Sequence, residues 1–592
     1  MVDFTRLFDL FDYQNLSHPR QDALNYKYNG VWKNYSSQDC VDFRDKVSRA
    51  LLASGLQPDD KVALISPNRP EWNFMDYGML QVGIINVPIY PTISEREYEH
   101  IFNEAEIKMA FVADQGLCDK ILSIKDRCPN LKEVFAFEEN VNGCEHWTAF
   151  LAREASGSKE DVKAIADKIE ASDLATIIYT SGTTGLPKGV MLSHNNIVSQ
   201  VKAVMDVLPL YKEYRSLSFL PLCHIFERTV TYTYVGVGVG VYYAESMETI
   251  ADNLKEVKPH FFSSVPRLLE KVYDKIMGKG MDLTGLKKRL FFWAVDLAQS
   301  YEEGQKPTLK TKIADKLIYS KWREALGGNV LGIVTGASAC QERLARVFSA
   351  AGIPIREGYG QTESSPVITV NRFDEGMFKF GTVGVTIPGV EFKIAPTEGH
   401  PEGTGEILAK GPNIMLGYYK KPEETAKTII DGWLHTGDVG TIIDGKFLKI
   451  TDRIKDLFKT SGGKYVAPQV VEEKMKESRF IEQIMVIGEN EKFVAALIVP
   501  AFAALQDWAE NEEDISDTSP QGLVSHPAVD ALIQADIKEL NTYFSKIEQI
   551  KAFRLLAEEW TEESGCLTPT KKVKRKVVME QSADLIASIY SV

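Results

Sequence analysis

Short apolar runs alternate with amphipathic stretches through the first two-thirds of the chain, and the alternation predicts specific elements. Residues 61–66 read as a strand, 70–83 as a helix and 84–90 as a strand. Ser94, with Glu97 three positions on, supplies a capping box for a further helix, and 109–113 reads as the next strand. This β-α-β-α-β order implies a mostly parallel sheet with helices on its faces. The pattern recurs as strand 330–335, helix 341–351 and strand 353–357. Residues 174–180 form an apolar run that reads as a buried strand, and 190–192 as a second short one. Ser193 is placed as an N-cap, followed by Ile197, Val201, Val204, Met205 and Leu208 at helical spacing. Residues 390–450, rich in glycine and short strands, predict a β-subdomain. A boundary falls near Thr451–Asp456. Beyond it lies a small α+β unit with a helix after Pro468 and a hairpin of 481–487 and 493–499. An acidic insertion near 506–520 and a basic end complete it. The expected fold class is α/β: a large N-terminal domain of parallel-type sheets sandwiched by helices plus a β-subdomain (1–454), then a small α+β domain (455–592).

Composition narrows this further. A chain of 592 residues implies two to four folding units at about 100–200 residues each. The 44% hydrophobic and 25% charged content is that of an ordinary globular protein, and a net charge of −14 argues against nucleic acid as a partner. Cys40, Cys118, Cys128, Cys144, Cys223, Cys340 and Cys566 are scattered, with no CxxC pair. Neither zinc nor a disulfide framework is expected, and a reducing, cytoplasmic compartment is. The first six residues lack the basic-then-apolar pattern of a signal peptide. Residues 230–244 are too few and too rich in Tyr, Thr and Gly for a spanning helix. The segment 282–328 is helical, basic and aromatic (Lys287, Lys288, Arg289, Phe291, Phe292, Trp293). It reads as an amphipathic helix packed on the body and leaves a peripheral membrane contact open.

The densest chemical signal is residues 179–190, Tyr-Thr-Ser-Gly-Thr-Thr-Gly-Leu-Pro-Lys-Gly-Val. Glycines let the backbone turn its N–H groups into an anion-binding concavity, hydroxyls add donors, and Lys188 adds a point charge suited to phosphate. The common GxxxxGK[ST] loop runs from strand directly into helix. Here Gly189 stands where Ser or Thr is required and a strand follows, so that match fails. The whole string resembles the phosphate loop of the adenylate-forming enzymes, the superfamily of acyl-CoA synthetases, luciferases and peptide-synthetase adenylation domains. The resemblance implies nucleotide contacts from Thr180, Ser181, Gly182, Thr183, Thr184 and Lys188, with Thr184 also near Mg²⁺.

Other motifs follow in the family's order. Gly358-Tyr359-Gly360-Gln361-Thr362-Glu363-Ser364 sits just after an expected parallel strand, where ligands of open α/β sheets gather. The resemblance implies that Tyr359 stacks on adenine, Gly358 and Gly360 line the nucleotide, Thr362 bonds the α-phosphate and Glu363 ligates Mg²⁺. Gly336-Ala337-Ser338 resembles the adenine-edge segment, although the family form is closer to Gly-Gly-Ala-Pro. Asp438 resembles the ribose acceptor and Arg453 the arginine before the hinge, which puts the hinge at Lys455. Leu222–Arg228 resembles the segment lining the acyl entrance, which gives His224 a role beside the substrate. Gly462 and Gly463 resemble the loop lining the pantetheine tunnel. In the basic run 568–576 the family places its adenylation lysine, usually after a glycine. Aligning on the following basic residues picks Lys572, and Lys571 is the alternative.

The resemblance covers nearly the whole chain and looks like long-chain fatty acid–CoA ligases in particular. It implies ATP, Mg²⁺ and coenzyme A with a long-chain fatty acid, an acyl-adenylate intermediate, release of AMP and pyrophosphate, and a mobile C-terminal lid. A ligase for other carboxylates, or one loading an acyl-carrier protein, is the alternative. The acyl tunnel is expected near 230–240, where Gly236, Gly238 and Gly240 leave space.

Overall fold

The computed structural model describes residues 3–180, 186–397, 402–462, 465–510, 515–568 and 570–591. They form two compact units, residues 1–392 with 408–435, and residues 393–407 with 436–592.

In the first unit, among the described residues, eight strands form one sheet and nine another. The eight-stranded sheet is centred on Lys61–Ile65, which pairs in parallel with Ile85–Pro88 on one side and Met109–Val112 on the other. These are the strands expected from the apolar runs, and the intervening helices are Pro70–Gln81 and Glu95–Glu104. The Ser94 capping box is present, with Ser94 Oγ accepting from Glu97 N–H and the Glu97 carboxylate accepting from Ser94 N–H. Leu174–Thr180 and Lys188–Ser193 close that side as an antiparallel pair. Ser193 caps His194–Val207, with Asn196 returning the bond. In the nine-stranded sheet Arg215–Ser218, Gly240–Tyr243, Phe261–Ser264, Gly332–Thr335 and Ile355–Gly360 run parallel.

The helix Ile225–Val237 lies between the two sheets. Ser263 Oγ, on the nine-stranded sheet, donates to its Glu227. Its Arg228 Nη1 donates to Thr176 Oγ1, on the eight-stranded sheet, at 2.9 Å. Arg228 also pairs with Asp76 of Pro70–Gln81 (Nη2 to Oδ1, 2.5 Å), and Tyr232 Oη and Asn86 Nδ2 (2.7 Å) donate to the same carboxylate. Arg228 is 1% exposed and Asp76 fully buried. Buried charges persist only when paired and hydrogen-bonded, as these are. The outer face of the nine-stranded sheet carries an apolar core with Leu217, Phe262, Ile333 and Ile355. Into it Gly285–Gln299 inserts Phe291, Ala294, Val295 and Ala298, so the aromatic part of the 282–328 segment packs on the body.

Two expectations are corrected. Residues 230–240 do not surround open space: they are the end of Ile225–Val237, a left-handed cap at Gly238 (φ +86°) and the start of Gly240–Tyr243. A Cβ at Gly236 would sit 3.2 Å from Met205 Sδ, at Gly238 2.5 Å from His18 Cβ, and at Gly240 2.6 Å from an Arg20 nitrogen. The room left by these glycines is filled by other side chains. Cys118 and Cys144 form a disulfide with Cα atoms 6.4 Å apart. Their separation of 26 residues carries no motif, so only the return of the chain after Glu133–Ala136 brings them together. Cys40, Cys128, Cys223, Cys340 and Cys566 are buried thiols outside any disulfide.

In the second unit, Ile481–Ile487 and Val494–Pro500 form the expected hairpin, and Ile550–Leu555 adds in parallel. Residues 438–443 of Trp433–Ile443 pair antiparallel with Phe447–Arg453. Among the described residues no helix is long and apolar enough to cross a membrane.

Candidate functional site

In the first unit Thr180, Gly336, Ala337, Ser338, Gly358, Tyr359 and Gly360 stand at or just past the carboxyl ends of their strands. Thr180 ends its strand opposite Lys188, the first residue of its antiparallel partner. Ser181, Gly182, Thr183 and Thr184 lie outside the described residues. Lys188 Nζ makes an ion pair with Glu424 and sits 5.3 Å from the Tyr418 ring centroid. Tyr418 Oη donates to Glu363 Oε1 at 2.9 Å, and Met415 N–H donates to the Glu363 carbonyl at 2.9 Å. Burial first, then the Glu363 carboxylate, pushes the Tyr418 phenol well above its ordinary range, so it is a fixed donor. Lys188 and Glu363 are therefore joined through Tyr418. Neither Tyr418 nor Glu424 was marked by the sequence. Only the pairing of Gly417–Tyr418 with Val190 and Met191 brings them there.

Thr362 is buried in the short 3₁₀ turn Thr362–Ser364 beside Glu363. Gly358, Tyr359 and Gly360 end the strand Ile355–Gly360, and Tyr359 is nearly buried. Gly360 has no room for a side chain: a Cβ would fall 1.7 Å from the Pro366 carbonyl oxygen. Gly336, Ala337 and Ser338 follow the neighbouring strand. A Cβ at Gly336 would lie 3.3 Å from the Gly358 oxygen, so the two loops abut, and Ala337 takes a left-handed φ of +69°.

His224 is the N-cap of Ile225–Val237, its Nδ1 accepting from Phe226 N–H at 3.1 Å. The Phe226 ring reaches 3.8 Å from the Gly336 Cβ position, which ties this segment to the same loops. Asn68 fixes the preceding turn, donating to Ser218 Oγ (2.9 Å) and the Leu220 carbonyl (2.7 Å) and accepting from Leu222 N–H (3.0 Å). Burial pushes the Glu227 carboxyl up to about 7, against the opposing pull of the Ser218 and Ser263 hydroxyls.

In the second unit Asp438 faces Arg453 across paired strands, Arg453 Nε donating to Asp438 Oδ1 at 2.8 Å. Asp438 is 6% exposed. Lys455 is exposed in the turn after Phe447–Arg453. Its neighbour Asp452 is buried, and burial pushes that carboxyl up to about 7. Gly462 is exposed in a turn, and Gly463 lies outside the described residues. Leu567 and Val573 bridge the two sides of a tight loop in which Thr568 N–H donates to the Lys572 carbonyl and Lys572 N–H to Thr568 Oγ1. Lys571 has φ +61°, the region glycine enters at no cost, and its ammonium pairs with Glu562. Lys571 thus stands in a conformation glycine enters freely, and Lys572 is the residue after it. Arg575 anchors the loop's far end, Nη1 to Glu472 Oε1 at 2.5 Å and Nη2 to the Val486 carbonyl.

The donor set suits a phosphate-bound hard cation. Glu363 offers a carboxylate, and among the described residues no group of three or more His, Cys, Asp or Glu could cage a metal. Mg²⁺ takes one or two carboxylates and fills the rest of its shell with phosphate oxygens and water.

Residues 11–419 match the model of the AMP-binding enzyme family, and 455–592 that of the AMP-binding enzyme C-terminal domain. Long-chain-fatty-acid–CoA ligase FadD15 of Mycobacterium bovis is 33% identical over 572 residues, covering 95% of this chain and 93% of that protein. Human long-chain-fatty-acid–CoA ligase 1 is 32% identical over 589 residues, covering 95% and 82%. Among solved structures, the A domain of the Segniliparus rugosus carboxylic acid reductase, in complex with AMP and a co-purified carboxylic acid, aligns at TM-score 0.76. It is 18% identical and covers 98% of this chain and 94% of that one.

Proposed function

The chain belongs to the AMP-binding enzyme family, and from that premise we propose that it is an ATP-dependent long-chain fatty acid–CoA ligase. The observation that carries this reading is its similarity to long-chain-fatty-acid–CoA ligases across 95% of its length. The connection of Lys188 to Glu363 through Tyr418 supports it at the level of the site.

A carboxylate is a poor acyl donor because its leaving group would be oxide. Its oxygen attacks the α-phosphorus of ATP, pyrophosphate departs, and an acyl-adenylate forms. The thiol of coenzyme A then attacks the acyl carbon, AMP leaves, and the thiol proton passes to solvent. The first step needs positioning and charge neutralisation rather than a covalent enzyme intermediate. Lys188, with Thr180, Ser181, Gly182, Thr183 and Thr184, holds the departing phosphates. Thr362 donates to the α-phosphate. Tyr359 and the backbone of Gly336, Ala337, Ser338, Gly358 and Gly360 take the adenine, and Asp438, oriented by Arg453, accepts from the ribose hydroxyls. Lys572 meets the charge that develops at the α-phosphate. Mg²⁺, held by Glu363 and Thr184, neutralises phosphate charge when bound. His224 flanks the acyl group. A fatty carboxylate is already ionised at neutral pH, so no general base is needed. Rotation about Lys455, at the junction of an N-terminal domain (1–454) and a C-terminal lid (455–592), withdraws Lys572 and brings Gly462 and Gly463 to the pantetheine. The enzyme works in the cytoplasm, where ATP and coenzyme A are both supplied, and meets its substrate at the membrane surface.

The test is release of AMP and pyrophosphate with ATP·Mg²⁺ across carboxylates from acetate to oleate, with and without coenzyme A. Coenzyme A-dependent AMP release that peaks at long chains is expected. A peak at short or aromatic acids, or pyrophosphate exchange without coenzyme A-dependent turnover, would overturn the assignment.

A further inference from the structure

Residues 413–419 lie between the Thr362–Ser364 turn and the strand Lys188–Ser193, and they bond to both. Toward the turn, Asn413 Nδ2 donates to the Ser364 carbonyl and Met415 N–H to the Glu363 carbonyl, each at 2.9 Å. Toward the strand, Leu416 N–H donates to the Met191 carbonyl at 3.0 Å and Tyr419 N–H to the Gly189 carbonyl at 2.7 Å. Tyr418 stands between these two sets of backbone bonds. Its own N–H donates to Thr425 Oγ1 at 2.9 Å, which ties it to a third element, the helix Pro422–Thr428. A residue held from three sides has little freedom to move its side chain, and that side chain reaches both loops. Lys188 Nζ lies 5.3 Å from the ring centroid, within the range of a cation on an aromatic face. The hydroxyl donates to Glu363 Oε1 at 2.9 Å. No other described residue bonds to the Glu363 carboxylate. The last torsion of a glutamate is broad and two-fold, so an unheld carboxylate samples many directions. Fixing one oxygen removes that freedom from the other.

We propose that Tyr418 is a positioning residue: its hydroxyl holds one oxygen of Glu363 so that the carboxylate presents the other to Mg²⁺, and its ring carries Lys188 beside it. The inference rests on the reading of Glu363 as the metal's carboxylate and adds a residue that sets its orientation. Hydrogen-bond partners of a metal's ligands fix how those ligands point, and losing one weakens the metal even though the ligand itself is unchanged. Tyrosine suits the place because one side chain supplies both contacts. The hydroxyl is a donor for the carboxylate, and the ring face accepts the ammonium without neutralising the charge that the phosphates need. Glu424, which pairs with Lys188, supplies the carboxylate on that ammonium's other contact and leaves the Tyr418 hydroxyl to Glu363 alone.

The test is binding of Mn²⁺, followed by electron paramagnetic resonance, to the full chain mixed with a non-hydrolysable ATP analogue and no carboxylate. Tyr418→Phe keeps the ring beside Lys188 and removes the hydroxyl alone. It is expected to weaken Mn²⁺ binding about tenfold, the low end of what loss of a ligand's hydrogen-bond partner costs. The Mg²⁺ needed for half-maximal pyrophosphate exchange should rise by a like factor, and saturating Mg²⁺ should restore most of the turnover. The melting temperature should move by no more than about 2 °C in a unit of this size. In a Glu363→Ala background the same change should add nothing, because the hydroxyl acts through that carboxylate. Three results would overturn the proposal: a Tyr418→Phe protein that binds Mn²⁺ like wild type, a loss of turnover that saturating Mg²⁺ does not reduce, or an equal loss in the Glu363→Ala background. Failure of the ligase assignment reads differently. No fatty acid would then support coenzyme A-dependent turnover, while Mn²⁺ binding with the analogue would still depend on Tyr418, and the proposal would stand.

Discussion

Replacing Glu227 with glutamine tests how burial sets the energetics around the His224 turn. Glu227 is 1% exposed and its carboxyl is pushed up to about 7 from an ordinary 4.5. Between those values the unfolded chain has released the proton while the folded chain retains it. Folding stability therefore falls as pH rises from about 4.5 to about 7 and levels off above. At 1.36 kcal/mol per pKa unit, the loss between pH 5 and pH 8 comes to about 2–3 kcal/mol after allowing for partial ionisation at pH 5. Glu227→Gln preserves the volume and removes the titration. Its own cost, the altered bond from Ser263, is the same at both pH values. The first unit spans 420 residues, and at about 2.1 cal/mol/K per residue the pH-dependent term corresponds to about 3 °C in Tm. Calorimetric scans at pH 5 and pH 8 should show the variant gaining about 3 °C on wild type between the two. A gap that stays constant with pH would refute the reasoning, because the carboxyl would then titrate alike in the folded and unfolded chain.

Other outcomes follow from the same structure. Lys572→Ala should abolish acyl-adenylate formation, read as pyrophosphate exchange, and leave thioester formation from supplied acyl-AMP within a few-fold. Lys571→Gly, which relieves a left-handed residue, should keep adenylation within a few-fold. If it abolishes adenylation, Lys571 is the reacting lysine. Glu363→Ala should raise the Mg²⁺ needed for half-maximal rate by tenfold or more, and an unchanged Mg²⁺ titration removes Glu363 from the metal. Asp76→Ala leaves Arg228 charged and fully enclosed, and should cost about 3–5 kcal/mol, seen as a large drop in Tm or loss of soluble protein. Arg228→Met in the same background should recover part of that loss.

Periodicity made the parallel sheets readable, because central strands such as Met109–Val112 are buried on both faces and helices such as Glu95–Glu104 have one apolar side. Local hydrogen-bonding chemistry was equally legible: Ser94 and Ser193 cap the helices their spacing announced. What stayed hidden depended on distant pairing. Tyr418 and Glu424 reach Lys188 only through strand addition at Gly417–Tyr418, and no local pattern marks such an event. The glycines at 236, 238 and 240 suggested room because a missing side chain says nothing about which neighbour takes its place. Met205, His18 and Arg20 do. Cys118 and Cys144 lie in register only after the fold has formed. His224 was read toward the substrate from its motif. Its role as a helix cap was equally encoded, since a ring nitrogen two residues ahead of a free N–H is all the cap requires.

The crowding at Gly360 bears on how this protein can be re-engineered. Any laboratory evolution of acyl or nucleotide preference would naturally randomise 358–364, the loop richest in candidate contacts. At position 360 every one of the other nineteen amino acids brings a Cβ onto the Pro366 carbonyl oxygen. Clones altered there drop out before activity is screened, whatever they carry at the neighbouring positions. A library that holds Gly360 fixed and diversifies around it samples far more folded sequences for the same number of colonies, and recombination between relatives through this loop should place its crossover elsewhere.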